Sequence, residues 1–305
     1  MDVELKTGGR VVVGTDGSER ADKAVRWAAD RAGKLALPLL ILYIVPENWA
    51  VGTLPAAAYG EMASAIIAEY QLEFLVRARK RLDEIAQRVR EGSPGLDVEA
   101  VVVEGRPSYV LAEASKDAAL VVVGARGETA PRAVKWLGGV TDDVVNHAHG
   151  PIAVIGDEAQ ENPKGPVVVG VDDSPQARGA ARLAFQAADT RGVAVTAIHA
   201  YTPGGVGDLV VAETWAPTMP EPDQSVITVM IEGVLADAVK EYPNVTYQVH
   251  VLRGRPQDAL VDASDGAGLV VVGSRGRGGF RGLLLGSTSK HVLRESLSPV
   301  IVTRG

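Results

Sequence analysis

The sequence predicts an α/β fold: a doubly wound parallel sheet, flanked by helices and built twice along one chain. Three observations carry this. Apolar runs rich in Val, Ile and Leu alternate with longer segments of helical period, the signature of βαβ units. The runs are almost continuously apolar, as expected of strands buried on both faces of a parallel sheet. And the pattern begins again halfway: Val167 to Ser174, VVVGVDDS, matches Val11 to Ser18, VVVGTDGS, at an offset of 156 residues (167 − 11).

Residues 10–14 are the first strand and run into GTDGS. Residues 19–33 follow as a helix, because Ala21, Ala24, Val25, Ala28, Ala29 and Ala32 recur at helical spacing. Ser18 is placed to cap its start and Gly33 to stop it. Residues 38–45 form the second strand, followed by a loop with Pro46, Gly52 and Pro55. Residues 63–91 are a long helix that ends at Gly92-Ser93-Pro94-Gly95. Its Arg77, Arg79, Lys80, Arg81, Glu84, Arg88 and Arg90 read as a solvated face. The third strand is 98–103. Gly105-Arg106-Pro107 turns into a helix at 108–116, the fourth strand is 120–123, a further helix spans about 139–148, and 151–155 is the fifth strand.

The second half repeats this order. Gly254-Arg255-Pro256 matches Gly105-Arg106-Pro107 at an offset of 149 (254 − 105), and Pro299 matches Pro151 at 148 (299 − 151). The polar, aperiodic stretch 156–165 is the linker, which gives domains at 1–157 and 165–305, each a five-stranded parallel sheet with helices. The two fifth strands, 151–155 and 299–303, are candidate sheet edges and therefore candidate pairing surfaces.

Composition narrows the function. The chain has 305 residues, 46% of them hydrophobic and 23% charged, with a net charge of −7. A basic face for nucleic acid is not expected. The absence of cysteine excludes thiol catalysis, disulfides and thiolate metal sites. No apolar run reaches the ~18–20 residues of a membrane span, and the start, MDVELKTGGR, lacks the pattern of a targeting signal. A cytoplasmic protein with no membrane or nucleic-acid partner is the expectation.

The stretch 269–290, LVVVGSRGRGGFRGLLLGSTSK, is the one most suggestive of chemistry. A buried strand opens into glycines, and a hydroxyl-rich turn begins the next helix. Glycines let backbone N–H groups approach an anion, and a helix N-terminus adds its dipole. Ligands of doubly wound sheets sit beyond the strands' carboxyl ends. Asp16, Ile44 and Gly124 fall there in the first half, and Asp172, Ala200 and Gly273 in the second. Plainer readings stand beside this one. The aspartates serve equally as turn residues, the glycines as close packing, and Ser287 to Ser289 as a helix cap. Arg126 and Arg275 face either phosphate or water. His147-Ala-His149 reads as a helix C-terminus rather than a metal pair. Trp27, Trp49, Trp136 and Trp215 read as core or loop packing, and 202–223 as a lid or a plain loop.

Gly273, Gly276, Gly286 and Ser287 meet the pattern G-x2-G-x9-G-[ST] in full. With the aspartates and the repeat, this resembles the universal stress protein family, in its tandem, ATP-binding, actinobacterial-like form, over nearly the whole chain. The resemblance implies two Rossmann-like domains of the adenine nucleotide alpha hydrolase-like type. It also implies an ATP-binding stress-response regulator whose nucleotide sets its conformation or its protein partner, with ATP, accompanied by magnesium, as cofactor and a homodimer as the assembly. Asp16 and Asp172, with Gly14, Thr15, Gly170 and Val171 before them, are implied to hold the adenosine end. Ile44 and Ala200 are implied to recognise adenine through backbone. Val123, Gly124 and Gly127, and Val272, Gly273, Arg275 and Gly276, are the implied first glycine pairs. Gly286, Ser287, Thr288 and Ser289 are the implied phosphate group, matched by Gly138, Gly139, Val140 and Thr141. The first half departs from the pattern: ten residues, 128–137, separate the glycines, and Gly139 replaces a hydroxyl. ATP is therefore expected foremost in the second half. No P-loop, metal-ligand cluster or nucleophile triad is visible. The alternatives to a binding regulator are a slow ATPase and a nucleotide-free scaffold.

Overall fold

The computed structural model of the chain describes residues 5–46, 60–127, 137–202, 223–276 and 285–304, with backbone alone over 60–68. Residues 203–222 of the segment read as a lid or a plain loop, Trp49, Trp136 and Trp215, and most of both glycine loops' later parts lie outside the described residues. Ten strands and eight helices are described. They divide into two compact units that part between Gly150 and Pro151.

In the first unit the order is β1 (Val11–Thr15), α1 (Glu19–Leu35), β2 (Leu39–Val45), α2 (Gly60–Gly92), β3 (Val98–Glu104), α3 (Pro107–Ala114), β4 (Leu120–Gly124) and α4 (Gly139–His147). The strands lie parallel in the order β3-β2-β1-β4, with Val11 registered on both Leu39 and Leu120. β1 is central, so the chain reverses its winding between β1 and β4, and the crevice of a doubly wound sheet opens there.

The second unit takes β5 (Ile152–Ile155), then β6 (Val167–Gly170), α5 (Pro175–Arg191), β7 (Val195–Tyr201), α6 (Gln224–Glu241), β8 (Tyr247–Arg253), α7 (Pro256–Ser264), β9 (Leu269–Gly273), α8 (Ser287–Glu295) and β10 (Val300–Thr303). Its order is β5-β10-β9-β6-β7-β8, parallel except where β5 runs antiparallel to β10, with Ile301 opposite Ala153. β10 is therefore no edge: β9 flanks it on one side and β5 on the other. Edge strand β8 alternates exposed and half-buried residues, whereas Leu269 to Val272 of β9 are buried throughout, which is the difference between an edge and a strand covered on both faces.

The first helix of each unit presents alanines to its sheet. Ala24, Ala28 and Ala32 of α1, and Ala180, Ala184 and Ala188 of α5, have no exposed surface. Small side chains at that spacing let helix and sheet approach closely. Ser18 and Ser174 cap these helices by accepting from the N–H of Ala21 and Ala177. The helix does not stop at Gly33. It runs to Leu35 and ends at Ala36, in the left-handed region at φ 51°, where the Ala36 N–H donates to Gly33 O and the Leu37 N–H to Ala32 O. A glycine can sit inside a helix, and the closing pair of hydrogen bonds decides the end. α5 closes the same way on Gly192, at φ 64°.

α2 buries Ala78, Leu82, Ile85, Ala86 and Val89. Its basic face is not solvated throughout. Arg88 pairs with Asp22 of α1 at 3.0 Å, and Arg81 Nε donates to Gly17 O at 3.1 Å. Trp27 packs in the core and His147 ends α4, its Nδ1 2.8 Å from Asp143 O, both as the sequence reading has them. Ser115 and Ser264, repeat counterparts, accept from the backbone N–H of His149 and Leu297 and so hold the turns that precede β5 and β10. The 156–165 linker is pinned to the second unit: Arg191 pairs with Glu161 and donates to the carbonyls of Asn162 and Gly268.

Candidate functional site

At the switch point of each unit an aspartate stands beside a glycine. Asp172 follows β6, and Ser174 donates to its Oδ1 from both the backbone N–H, at 3.0 Å, and the hydroxyl. The other carboxylate oxygen, Oδ2, lies so close to Gly276 that any β-carbon there would collide with it. In the first unit Ser18 N–H donates to Asp16 Oδ1 at 3.0 Å, and a β-carbon on Gly127 would come within 3.0 Å of Asp16 Oδ2. The sequence separates these partners by about a hundred residues, and the sheet order brings them together.

The glycines divide into two kinds. Gly127 and Gly276 face the carboxylates. Gly14 and Gly170 face apolar side chains: a β-carbon on either would meet a leucine methyl at 2.9 Å, from Leu111 in one unit and Leu260 in the other. Close packing of α3 and α7 accounts for them. Gly273 and Gly124 end their strands, with Val272 and Val123 buried just before.

Strand lengths create a slot. The β6–β7 ladder ends at Gly170 opposite Ile198, while β7 continues to Tyr201 in register with β8. Ala200 lies on this overhang. Ile44 lies on the corresponding overhang of β2, whose ladder with β1 ends at Thr15 opposite Tyr43. Beyond those points the backbone edges of β7 and β2 toward the aspartate loops carry no ladder pair.

The two helix starts are built alike. Gly286 caps α8 and Gly138 caps α4, neither with a side-chain capping bond. Gly286 N–H donates to Ser274 O at 2.7 Å, and Gly138 N–H to Ala125 O at 2.8 Å. The third residue of each helix turns its hydroxyl back to the strand end: Ser289 Oγ donates to Gly273 O at 2.6 Å, and Thr141 Oγ1 to Gly124 O at 2.7 Å, both residues being 4% exposed. This shared bond fixes the helix start to the strand. Ser287 and Thr288, like Gly139 and Val140 in the first unit, occupy the opening turn, where N–H groups have no intrahelical partner.

Surroundings that the sequence reading missed differ between the units. In the first, Arg20 donates to Gly127 O at 3.1 Å, and Tyr43 and Arg81 close on Gly17. In the second, His199 is buried with Nδ1 2.8 Å from Val171 O, bracing the backbone just before Asp172. A histidine flanked by apolar Ile198 and Ala200 within the strand was the available signal for His199. Arg126 and Arg275 sit in matching loop positions. Among the described residues no group of three or more His, Cys, Asp or Glu side chains is placed to hold a metal ion, and no helix is long and apolar enough to cross a membrane.

A winding reversal flanked by a carboxylate, a glycine and an uncapped helix start defines a doubly wound α/β protein with the same arrangement built twice. The model of the Universal stress protein family matches residues 9–156 and 165–304, and the chain belongs to that family. It is 36% identical over 306 residues to the universal stress protein Rv1996 of Mycobacterium tuberculosis, covering 96% of this chain and 94% of that one. A second protein of that organism, universal stress protein Rv2623, is 36% identical over 308 residues, covering 96% of each. Among solved structures, a universal stress protein from Archaeoglobus fulgidus superposes with a TM-score of 0.68 at 22% identity, over 98% of this chain and 99% of that chain, a likeness of fold.

Proposed function

We propose that this universal stress protein is an ATP-binding regulator with two unequal sites, the second unit's being the stronger. The carrying observation is the convergence, at each winding reversal, of an aspartate carboxylate, a glycine where a β-carbon would come within 3.0 Å of that carboxylate, and an uncapped helix N-terminus. A nucleotide has three parts that suit these three features. The overhang at Ala200 or Ile44 offers backbone donors and acceptors to a flat base. Asp172 or Asp16 accepts from ribose hydroxyls. The opening turn of α8 or α4 offers N–H groups and a helix dipole to phosphates. In the second unit Ser287 and Thr288 add hydroxyls where the first has Gly139 and Val140. Magnesium would be held chiefly by phosphate oxygens and water, which suits its reluctance to shed its hydration shell.

A regulator rather than a catalyst is our reading of this pocket, because the opening turn offers donors to a charged ligand and Asp172 Oδ1 is engaged by Ser174. Mass spectrometry of the small molecules released on denaturing the purified chain tests the reading. Adenine nucleotide is expected. A chain that carries none, and binds none when ATP is added, would overturn it.

A further inference from the structure

We propose that Arg304 and Arg275 form a second anion-recognition point in the second unit's pocket, one that favours nucleotides with more than one phosphate. This role rests on the nucleotide reading of the same pocket and names what that pocket selects. β10 runs parallel to β9 with Thr303 registered on Gly273, and Ser274 N–H donates to Thr303 O at 2.9 Å. Arg304 follows Thr303, and Arg275 follows Ser274. Two guanidinium-bearing residues therefore leave adjacent chain ends at the sheet's carboxyl edge, on the β10 side of the switch point between β6 and β9. The Arg275 α-carbon lies 3.6 Å from where a β-carbon on Gly286 would stand, beside the start of α8.

Arg304 is half-buried while Arg275 is exposed. Burial, and next to it the charge of Arg275, holds the Arg304 guanidinium below its ordinary range. Two like charges drawn together at a partly buried edge are unfavourable alone and become favourable around an anion of higher charge. Arginine suits that task, since its planar fork can take two phosphate oxygens at once. A single phosphate is already served by the opening turn of α8, so the added recognition falls on the phosphates beyond it. By repeat, the first half of the sequence has Gly156 at the position of Arg304 (304 − 148) and so carries no matching arginine.

Isothermal titration of the full chain with ATP, ADP and AMP tests this, using Arg304→Gln and Arg304→Lys, each also on an Asp16→Ala background that weakens the first pocket. Arg304→Gln should weaken ATP binding about tenfold and leave AMP within about twofold, the loss of one charge-assisted hydrogen bond. Arg304→Lys should fall between Gln and the native chain. Retained AMP binding shows that the variant is folded. An unchanged ratio of ATP to AMP affinity, or equal loss of both, would overturn the role of Arg304 while leaving the nucleotide reading intact. A native chain that binds none of the three would overturn both.

Discussion

The loops after β1 and β6 reach one result by two backbones. In the first, Gly17 takes φ +77° and packs under Tyr43 and Arg81. In the second, the matching residue is Asp173, which has no positive φ, and His199 braces the loop from below. Yet both present an aspartate whose Oδ1 accepts from the serine two residues on, at 3.0 Å, and whose Oδ2 faces a glycine from a distant loop. What the two copies share is the carboxylate beside a glycine. What they do not share is how it is held, so the carboxylate's position is the constraint and the loop is the means.

Three measurements bear on this comparison. The largest expected effect comes from filling the glycine positions. Gly276→Ala drives a methyl into Asp172 and should weaken nucleotide binding by at least about tenfold, the loss of one charge-assisted contact. Gly127→Ala, where the Asp16 oxygen is farther, at 3.0 Å, should cost about threefold. Equal losses by titration would erase the asymmetry. Next are the helix ends. Ala36→Gly should raise stability by about 1 kcal/mol by relieving the left-handed alanine, and Gly192→Ala should lower it by about as much. Gly192 has open space around its α-carbon, so strain alone is read, and the denaturant midpoint reports both changes. The smallest effect concerns the ion pairs between the first and second helices: Arg88 with Asp22 in one unit, Arg182 with Glu241 in the other. Hydrogen bonding from Arg182 holds the Glu241 carboxyl below its ordinary value of 4.5. Because the folded value is the lower one, the stabilisation is present above that value and is lost as pH falls through the folded one. Glu241→Gln should leave unfolding unchanged below that window and lower it slightly at neutral pH, as an exposed pair allows. A difference that grows toward acid would contradict this sign.

The strands and the repeat were legible because burial on both faces writes itself as runs of Val, Ile and Leu, and because VVVGTDGS and VVVGVDDS are nearly the same words. The helix stop at Ala36 was not legible, since alanine is not a residue associated with left-handed backbone and Gly33 offered a more conventional signal. The docking of Arg81 and Arg88 was hidden because their partners lie 64 and 66 residues away. The candidate site was legible as residue types at strand ends. Its finer sorting needed the fold: Gly14 and Gly170 answer to leucines, Gly127 and Gly276 to carboxylates, and the Thr141 and Ser289 hydroxyls to strand carbonyls. Arg304 could not be singled out from sequence, because its nearness to Arg275 comes from the pairing of β10 with β9.

The place of β5 has a consequence for anyone who divides this chain. By repeat it ends the first half, yet it lines the β10 side of the second unit's sheet, opposite Val300 to Val302. A fragment cut at the repeat boundary, 165–305, would carry a bare row of β10 backbone groups, and exposed strand edges recruit whatever strand is nearest. Such a fragment should self-associate through that row, as the sedimentation of the fragment would show. The scissors that respect the duplication and the scissors that respect the fold cut at different places, one strand apart.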